Sequence, residues 1–250
     1  MPLFSQVTLR HGPIAVLGRT ILIAEQLCQQ QGVLLSFATP AEFLSVNQAN
    51  ADTWLPLFRL FDHRFNNLTE ANTFYILGHN LAGDIVACQA ARFYDWQDTN
   101  CADEIECMRM RYSDPEAMKM AGEGFIVTSN AARGMRGKVV FSGAAWYRKD
   151  YRRRGLVEWL PRIARAYARS LWDTRNTITF MSEKNVAKGV FPRNGYSNLE
   201  WSVQLNNTDW GTMRMAFLWS KDDEMLDDLR AFLASHSSIA SEALGRVGTK

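Results

Sequence analysis

The amino-acid sequence predicts an α+β fold, a mixed and mostly antiparallel sheet flanked by helices. Three observations predict it. Thr73–Gly78 and Ile85–Tyr94 are β-rich runs joined by the turn His79-Asn80-Leu81-Ala82-Gly83-Asp84, the pattern of an antiparallel hairpin. After residue 138 the order strand, helix, strand makes a βαβ unit, which places two parallel strands side by side. The last two strands, Leu199–Leu205 and Met213–Ser220, are joined by residues 206–212 and pair antiparallel.

The elements follow in order. Residues 12–31 predict a helix, with Pro13 near its start and Gly32 just past its end. Its apolar side carries Val16, Leu17, Ile21, Ala24 and Cys28. Val33–Ala38 is a short strand. Thr39-Pro40-Ala41-Glu42 is a helix start in which Thr39 caps, Pro40 takes the first position and Glu42 closes a capping box. Helical segments are expected to about Phe65, broken near Pro56. Residues 97–137 interrupt the rhythm and read as an insertion, acidic at first, then methionine-rich, helical around Pro115–Ala121. Then come strand Val139–Tyr147, a basic loop, helix Leu156–Trp172, strand Thr177–Ser182, a short helix Asn185–Val190 and the two last strands. Lys221–Leu233 is a charged amphipathic helix with Met225, Leu226, Leu229 and Phe232 on one face. The chain divides into an N-terminal helical extension (1–32), a main domain (33–220, with the insertion) and a C-terminal helix and tail (221–250).

Composition narrows the function. Apolar residues make up 47% and charged residues 22%, which suits a globular protein. A net charge of +2 gives no global pull towards nucleic acid or an anionic membrane. Cys28, Cys88, Cys101 and Cys107 form no C-x-x-C pair, and the four histidines are scattered, so no metal site is expected. The apolar run Ile14–Ala24 is too short and too interrupted to span a bilayer. A cytoplasmic protein with free thiols is the reading, its oligomeric state unspecified.

Charge is concentrated at one place. Arg148, Lys149, Arg152, Arg153 and Arg154 fall within seven residues, between a strand and a helix, with Gly155 and Leu156 following. A helix N-terminus presents unpaired N–H groups and a partial positive charge, Gly155 admits close backbone approach, and arginines bind phosphate through forked hydrogen bonds. Charge alone suits a solvated basic loop equally well. A contact for RNA or DNA is disfavoured, because no aromatic residues alternate with the arginines beyond Tyr147 and Tyr151.

The stretch Tyr151-Arg152-Arg153-Arg154-Gly155-Leu156-Val157 resembles the R/Q-x-x-G-x-G/A signature of the GNAT acetyltransferase superfamily, with Val157 departing from its small last residue. A second likeness follows in Asn185-Val186-Ala187-Lys188-Gly189-Val190-Phe191 and Gly195-Tyr196. The resemblance covers roughly residues 33–220. It implies a parallel pair of strands splayed around acetyl-coenzyme A and transfer of an acetyl group to an amine by direct attack. By the same resemblance the N–H groups of Arg153–Val157 would hold the pyrophosphate. The strand edge at Ala145, Trp146 and Tyr147 would pair with the pantetheine arm, and Asn185 would hydrogen-bond it. Phe191 stands where many relatives carry a tyrosine that protonates the departing thiolate.

Acyl transfer needs a neutral amine, a polarised thioester carbonyl and a proton for the thiolate. Glu183 is the candidate base and Tyr196 the candidate acid, with Tyr147 as another hydroxyl. Glu183 equally suits a surface carboxylate capping the next helix, and Asp150 suits an internal counter-ion in the basic loop. Trp54 and Trp96 lie nearer loops, where they would line an acceptor pocket, and the other tryptophans read as core. The acceptor is a small-molecule or peptide amine that no motif specifies. A GNAT-like fold that binds coenzyme A without catalysis is the alternative, favoured by Phe191.

Overall fold

The computed structural model describes residues 2–236; the end of the expected C-terminal tail lies outside them. In chain order the elements are α1 (Ile14–Gln30), β1 (Leu34–Ala38), α2 (Pro40–Ala49), β2 (Thr73–His79), β3 (Ile85–Trp96), α3 (Cys101–Glu106), α4 (Pro115–Met118), β4 (Gly124–Val127), α5 (Asn130–Gly134), β5 (Gly137–Tyr147), α6 (Leu156–Trp172), β6 (Asn176–Ser182), α7 (Glu183–Ala187), β7 (Asn198–Thr208), β8 (Gly211–Lys221) and α8 (Asp222–Ser235). The strands form one sheet in the order β1-β2-β3-β5-β6-β8-β7-β4. Among the described residues only β5 and β6 run parallel; every other pairing is antiparallel. The expected mixed, mostly antiparallel sheet is what the chain forms.

Helices α1, α6 and α8 cover one face. Leu17, Ile21, Ala24 and Cys28 of α1 meet Leu156, Leu160 and Ile163 of α6 and Met225 and Leu229 of α8, all 0–2% exposed. Each leucine, isoleucine or methionine among them contributes about 1.5–3 kcal/mol by leaving water. The segment expected as an N-terminal extension is therefore built into the core. Helix α2 begins with the expected capping box, Thr39 accepting from the Glu42 N–H while Glu42 accepts from the Thr39 N–H. Beyond it only a single 3-10 turn at Arg59–Phe61 is helical before Phe65, shorter than expected. No helix among the described residues is long and apolar enough to cross a membrane.

The opposite face is covered by α2, the 54–65 segment and residues 97–135, which pack Phe43, Phe58, Phe61 and Tyr112 into an aromatic core with Tyr75 of β2 and Phe141 of β5. Residues 97–137 do more than interrupt. Their strand β4, absent from the sequence reading, pairs with β7 through Gly124–Val127 and forms an edge of the sheet. Trp96, expected near a loop, is the buried last residue of β3 and stacks on Tyr94 at 5.0 Å.

Helical spacing sets Arg162, Arg165 and Arg169 opposite the apolar stripe of α6, yet they are 9%, 0% and 4% exposed. The chain covers them with α8 and with the loop before Tyr196. Arg162 donates to Asp228 Oδ1 and Oδ2 at 2.7 and 3.0 Å, and Arg169 reaches Asp222 and Asp173. Arg165 donates to the carbonyls of Gly195 at 2.6 Å and Asn194 at 2.7 Å, and to Asp228. Burial of these charges is tolerable only because nearly every donor is met by an acceptor.

Candidate cofactor cleft

The cleft starts with a short parallel ladder. β5 and β6 pair at Val139–Asn176, Val140–Thr177 and Phe141–Ile178 and no further, although β6 continues beside β8 to Ser182. Opposite this point β5 bulges: Cys88 pairs with Trp146 and Ala90 with Gly143, so Gln89 alone faces Ala144 and Ala145. Ala144 takes a φ of +52°, costly for a residue with a Cβ. A bulge bends its strand and increases the local twist, which accounts for β5 leaving β6 here. The edge of β5 from Ser142 to Tyr147 is thus unpaired on the β6 side.

The basic loop begins where that edge ends. Arg148 forms ion pairs with Asp150 at 2.8 Å and Asp84 at 3.1 Å, so Asp150 is the counter-ion the sequence suggested. The hydrogen bonds from Arg148 hold the Asp150 carboxyl below its ordinary range. Arg152 donates from Nε to the Tyr147 carbonyl at 3.0 Å, and Arg154 lies 4.2 Å from the Tyr151 ring centroid. Arg152, Arg153 and Arg154 are exposed.

Five consecutive amides, those of Arg153, Arg154, Gly155, Leu156 and Val157, donate no hydrogen bond within the described residues; the first bonds of α6 come from Glu158 and Trp159, to the Gly155 carbonyl. Two backbone kinks make this possible. Arg153 has φ +67° and Gly155 φ +85°, which turn the chain into the helix. A Cβ at residue 155 would sit 2.3 Å from the Trp159 ring. The Trp159 indole N–H is itself buried without a partner. Pro161 is accommodated within a continuous α6.

The remaining expected site residues divide by place. Tyr196 reaches the apex of the cleft: its hydroxyl lies 3.2 Å from the Ile178 carbonyl and 3.4 Å from the Ser142 carbonyl. Burial pushes its phenol pKa up. Trp146 lies on the aromatic face, stacked on Trp54 at 5.5 Å, while the Tyr147 side chain packs on the α1–α6 face. The Tyr147 hydroxyl is buried there without a partner, away from the aromatic face. Glu183 and Asn185 are exposed in the short α7, which starts two residues earlier than expected. Phe191 packs partly buried against the small cluster of Met181, Tyr196, Ala216 and Leu218.

A splayed parallel pair and, after its first strand, a helix start with free amides are features the resemblance implied; the bulge in β5 is an addition. The fold is a mixed, mostly antiparallel sheet with one parallel pair that splays, as that resemblance implied. No family model matches the chain, and no curated protein matches it. Solved structures to which the chain is similar include an acetyltransferase of the GNAT family from Streptococcus pneumoniae, 12% identical, covering 76% of this chain and 98% of that one, TM-score 0.42. A spermidine N-acetyltransferase variant from Vibrio cholerae is 7% identical over 78% and 97%, TM-score 0.44. The yncA protein from Salmonella typhimurium, solved with its cofactor acetyl-CoA, is 11% identical over 76% and 94%, TM-score 0.40.

Proposed function

We propose that the protein binds acetyl-coenzyme A at the N-terminus of α6 and transfers the acetyl group to an amine. The observation that carries this reading is the run of five unpaired amides from Arg153 to Val157, set where β5 leaves β6. Such amides satisfy phosphate oxygens, the partial charge of a helix end favours an anion, and Arg153 and Arg154 add charge. The buried, unpartnered Trp159 N–H beside Gly155 is a further orphan donor at the same spot. The residues present therefore fit a pyrophosphate.

Bound there, acetyl-coenzyme A supplies an acyl group activated as a thioester. In this reading the free edge of β5, Ser142 to Tyr147, holds the pantetheine arm as a strand would, with Asn185 of α7 reaching it. Ala145, exposed at the bulge, leaves its backbone open to that arm, and Leu156 and Val157 complete the amide run. Glu183, at the C-terminal end of β6, is the proposed base; its exposure lets an incoming ammonium lose its proton to solvent through it. Trp54, stacked on Trp146, lines the acceptor side.

A coenzyme A-binding module without catalysis is the second reading, favoured by the apolar Phe191. Thiol release from acetyl-coenzyme A across an amine panel separates the two. Amine-dependent release that falls in Glu183→Gln supports the transferase; binding with no release from any amine supports the module.

A further inference from the structure

The ring of Tyr196 is fixed from one side and its hydroxyl is spent on the other. Arg165, fully buried on α6, stacks its guanidinium 4.8 Å from the ring centroid. The same guanidinium grips the carbonyls of Asn194 and Gly195, the two residues just before the tyrosine. Gly195 is required for that grip: its φ is +75°, and a Cβ there would lie 2.5 Å from Arg165 Nη2 and 2.3 Å from Asp228 Oδ2. The phenol is thereby aimed at one place, the point where the parallel ladder stops.

That place is specific. The last ladder pair is Phe141–Ile178, and the hydroxyl meets the carbonyls of Ser142, one residue past it on β5, and Ile178, its β6 member. The phenol therefore stands where the next bond between β5 and β6 would form if the strands stayed together. A hydroxyl carries one proton, so it is shared between two carbonyls whose strands diverge.

We propose that Tyr196 is a positioning residue that sets the opening of the β5–β6 cleft, with Arg165 as its brace, and that it does not donate the proton in the reaction. The use of the opening to admit a pantetheine arm rests on the function proposed above; the bridge across the strands does not. A tyrosine that merely fills the core would affect stability alone.

Two measurements on Tyr196→Phe, which keeps the stacked ring and removes the hydroxyl, test the proposal. The first is amide hydrogen exchange of segment 139–147 in the protein without added cofactor. One lost bridging bond predicts exchange faster by about tenfold there, with the α1–α6 face unchanged. The second compares acetyl-coenzyme A affinity with kcat. Affinity is expected to weaken by about tenfold while kcat stays within about twofold. Arg165→Lys, which keeps the charge and loses the fork, should give the same pattern more weakly. Unchanged exchange at 139–147 overturns the bridge itself. A fall in kcat of about 100-fold at unchanged affinity overturns the positioning role in favour of a proton donor. Loss of melting temperature alone, with exchange and affinity intact, reduces the residue to core. If the wild type binds no acetyl-coenzyme A but the exchange effect appears, the proposed function fails and the bridge stands.

Discussion

Gly155 and Trp159 are in contact across the first turn of α6, so closely that a Cβ on residue 155 would lie 2.3 Å from the indole. The left-handed φ of +85° excludes ordinary side chains independently. Gly155→Ala should therefore destabilise the protein by about 1–3 kcal/mol. It should also weaken acetyl-coenzyme A binding, since Trp159 or the amide run must shift. Denaturant unfolding and a cofactor titration check this; a variant as stable as wild type would show that the turn relaxes freely.

Asp228 is the acceptor on which Arg162 and Arg165 converge. Asp228→Ala leaves two buried guanidinium groups short of a carboxylate and should cost about 3 kcal/mol. Its second effect is on the loop 193–195, which the same arginines hold. Asp228→Asn, which keeps an acceptor oxygen, should lose less. Equal stability of all three proteins in urea would mean that solvent replaces the carboxylate.

Glu25 on α1 accepts from the N–H groups of Leu3 and Phe4 while almost fully buried. Desolvation raises its pKa above the ordinary carboxylate value despite those bonds. The folded state thus holds this proton more tightly than the unfolded one. Stability from this group is full below the unfolded pKa of about 4.3 and is lost as pH rises through the folded value. Glu25→Gln removes that dependence. Urea midpoints from pH 4 to pH 8 should therefore fall in wild type relative to the variant, and parallel curves would contradict the shift.

Phe191 bears on whether the cleft catalyses. It packs beside Tyr196 and Met181 with part of its ring exposed, so a tyrosine hydroxyl fits there without disturbing the core. Phe191→Tyr should raise turnover with the best amine and leave cofactor affinity unchanged, by up to about 10²-fold if proton donation limits the rate. No change in either constant would place the ring away from the thioester sulfur.

The sheet was legible because its signals are local. The 73–96 hairpin carries its own turn, and the strand–helix–strand order after residue 138 fixes a parallel pair. The basic turn proposed to hold the pyrophosphate was legible because charge, glycine and helix start coincide at 152–156. What sequence could not give was tertiary cover. The period of α6 correctly put Arg162, Arg165 and Arg169 opposite the apolar stripe, but spacing cannot say that α8 lies over them. Asp222 and Asp228, six residues apart on α8, are a sequence trace of that cover. Strand β4 was missed because four residues, the first of them Gly124, carry too short an alternation to stand out. Tyr196 was read as a hydroxyl near the chemistry; that it bridges Ser142 and Ile178 depends on where two strands part, which no local pattern records.

The most direct test of the account is an acetyl-coenzyme A titration of wild type beside Arg154→Glu. Arg154 is exposed, so its reversal changes the charge at the amide run without disturbing the core. Wild type is expected to bind in the micromolar range, and cofactor at about 100 times its Kd should add about 2.7 kcal/mol to stability, raising Tm. Arg154→Glu should keep the fold and lose most of that rise. A wild-type protein whose Tm does not move at millimolar acetyl-coenzyme A, or a variant that binds as tightly as wild type, would contradict the assignment of residues 153–157 as the pyrophosphate site.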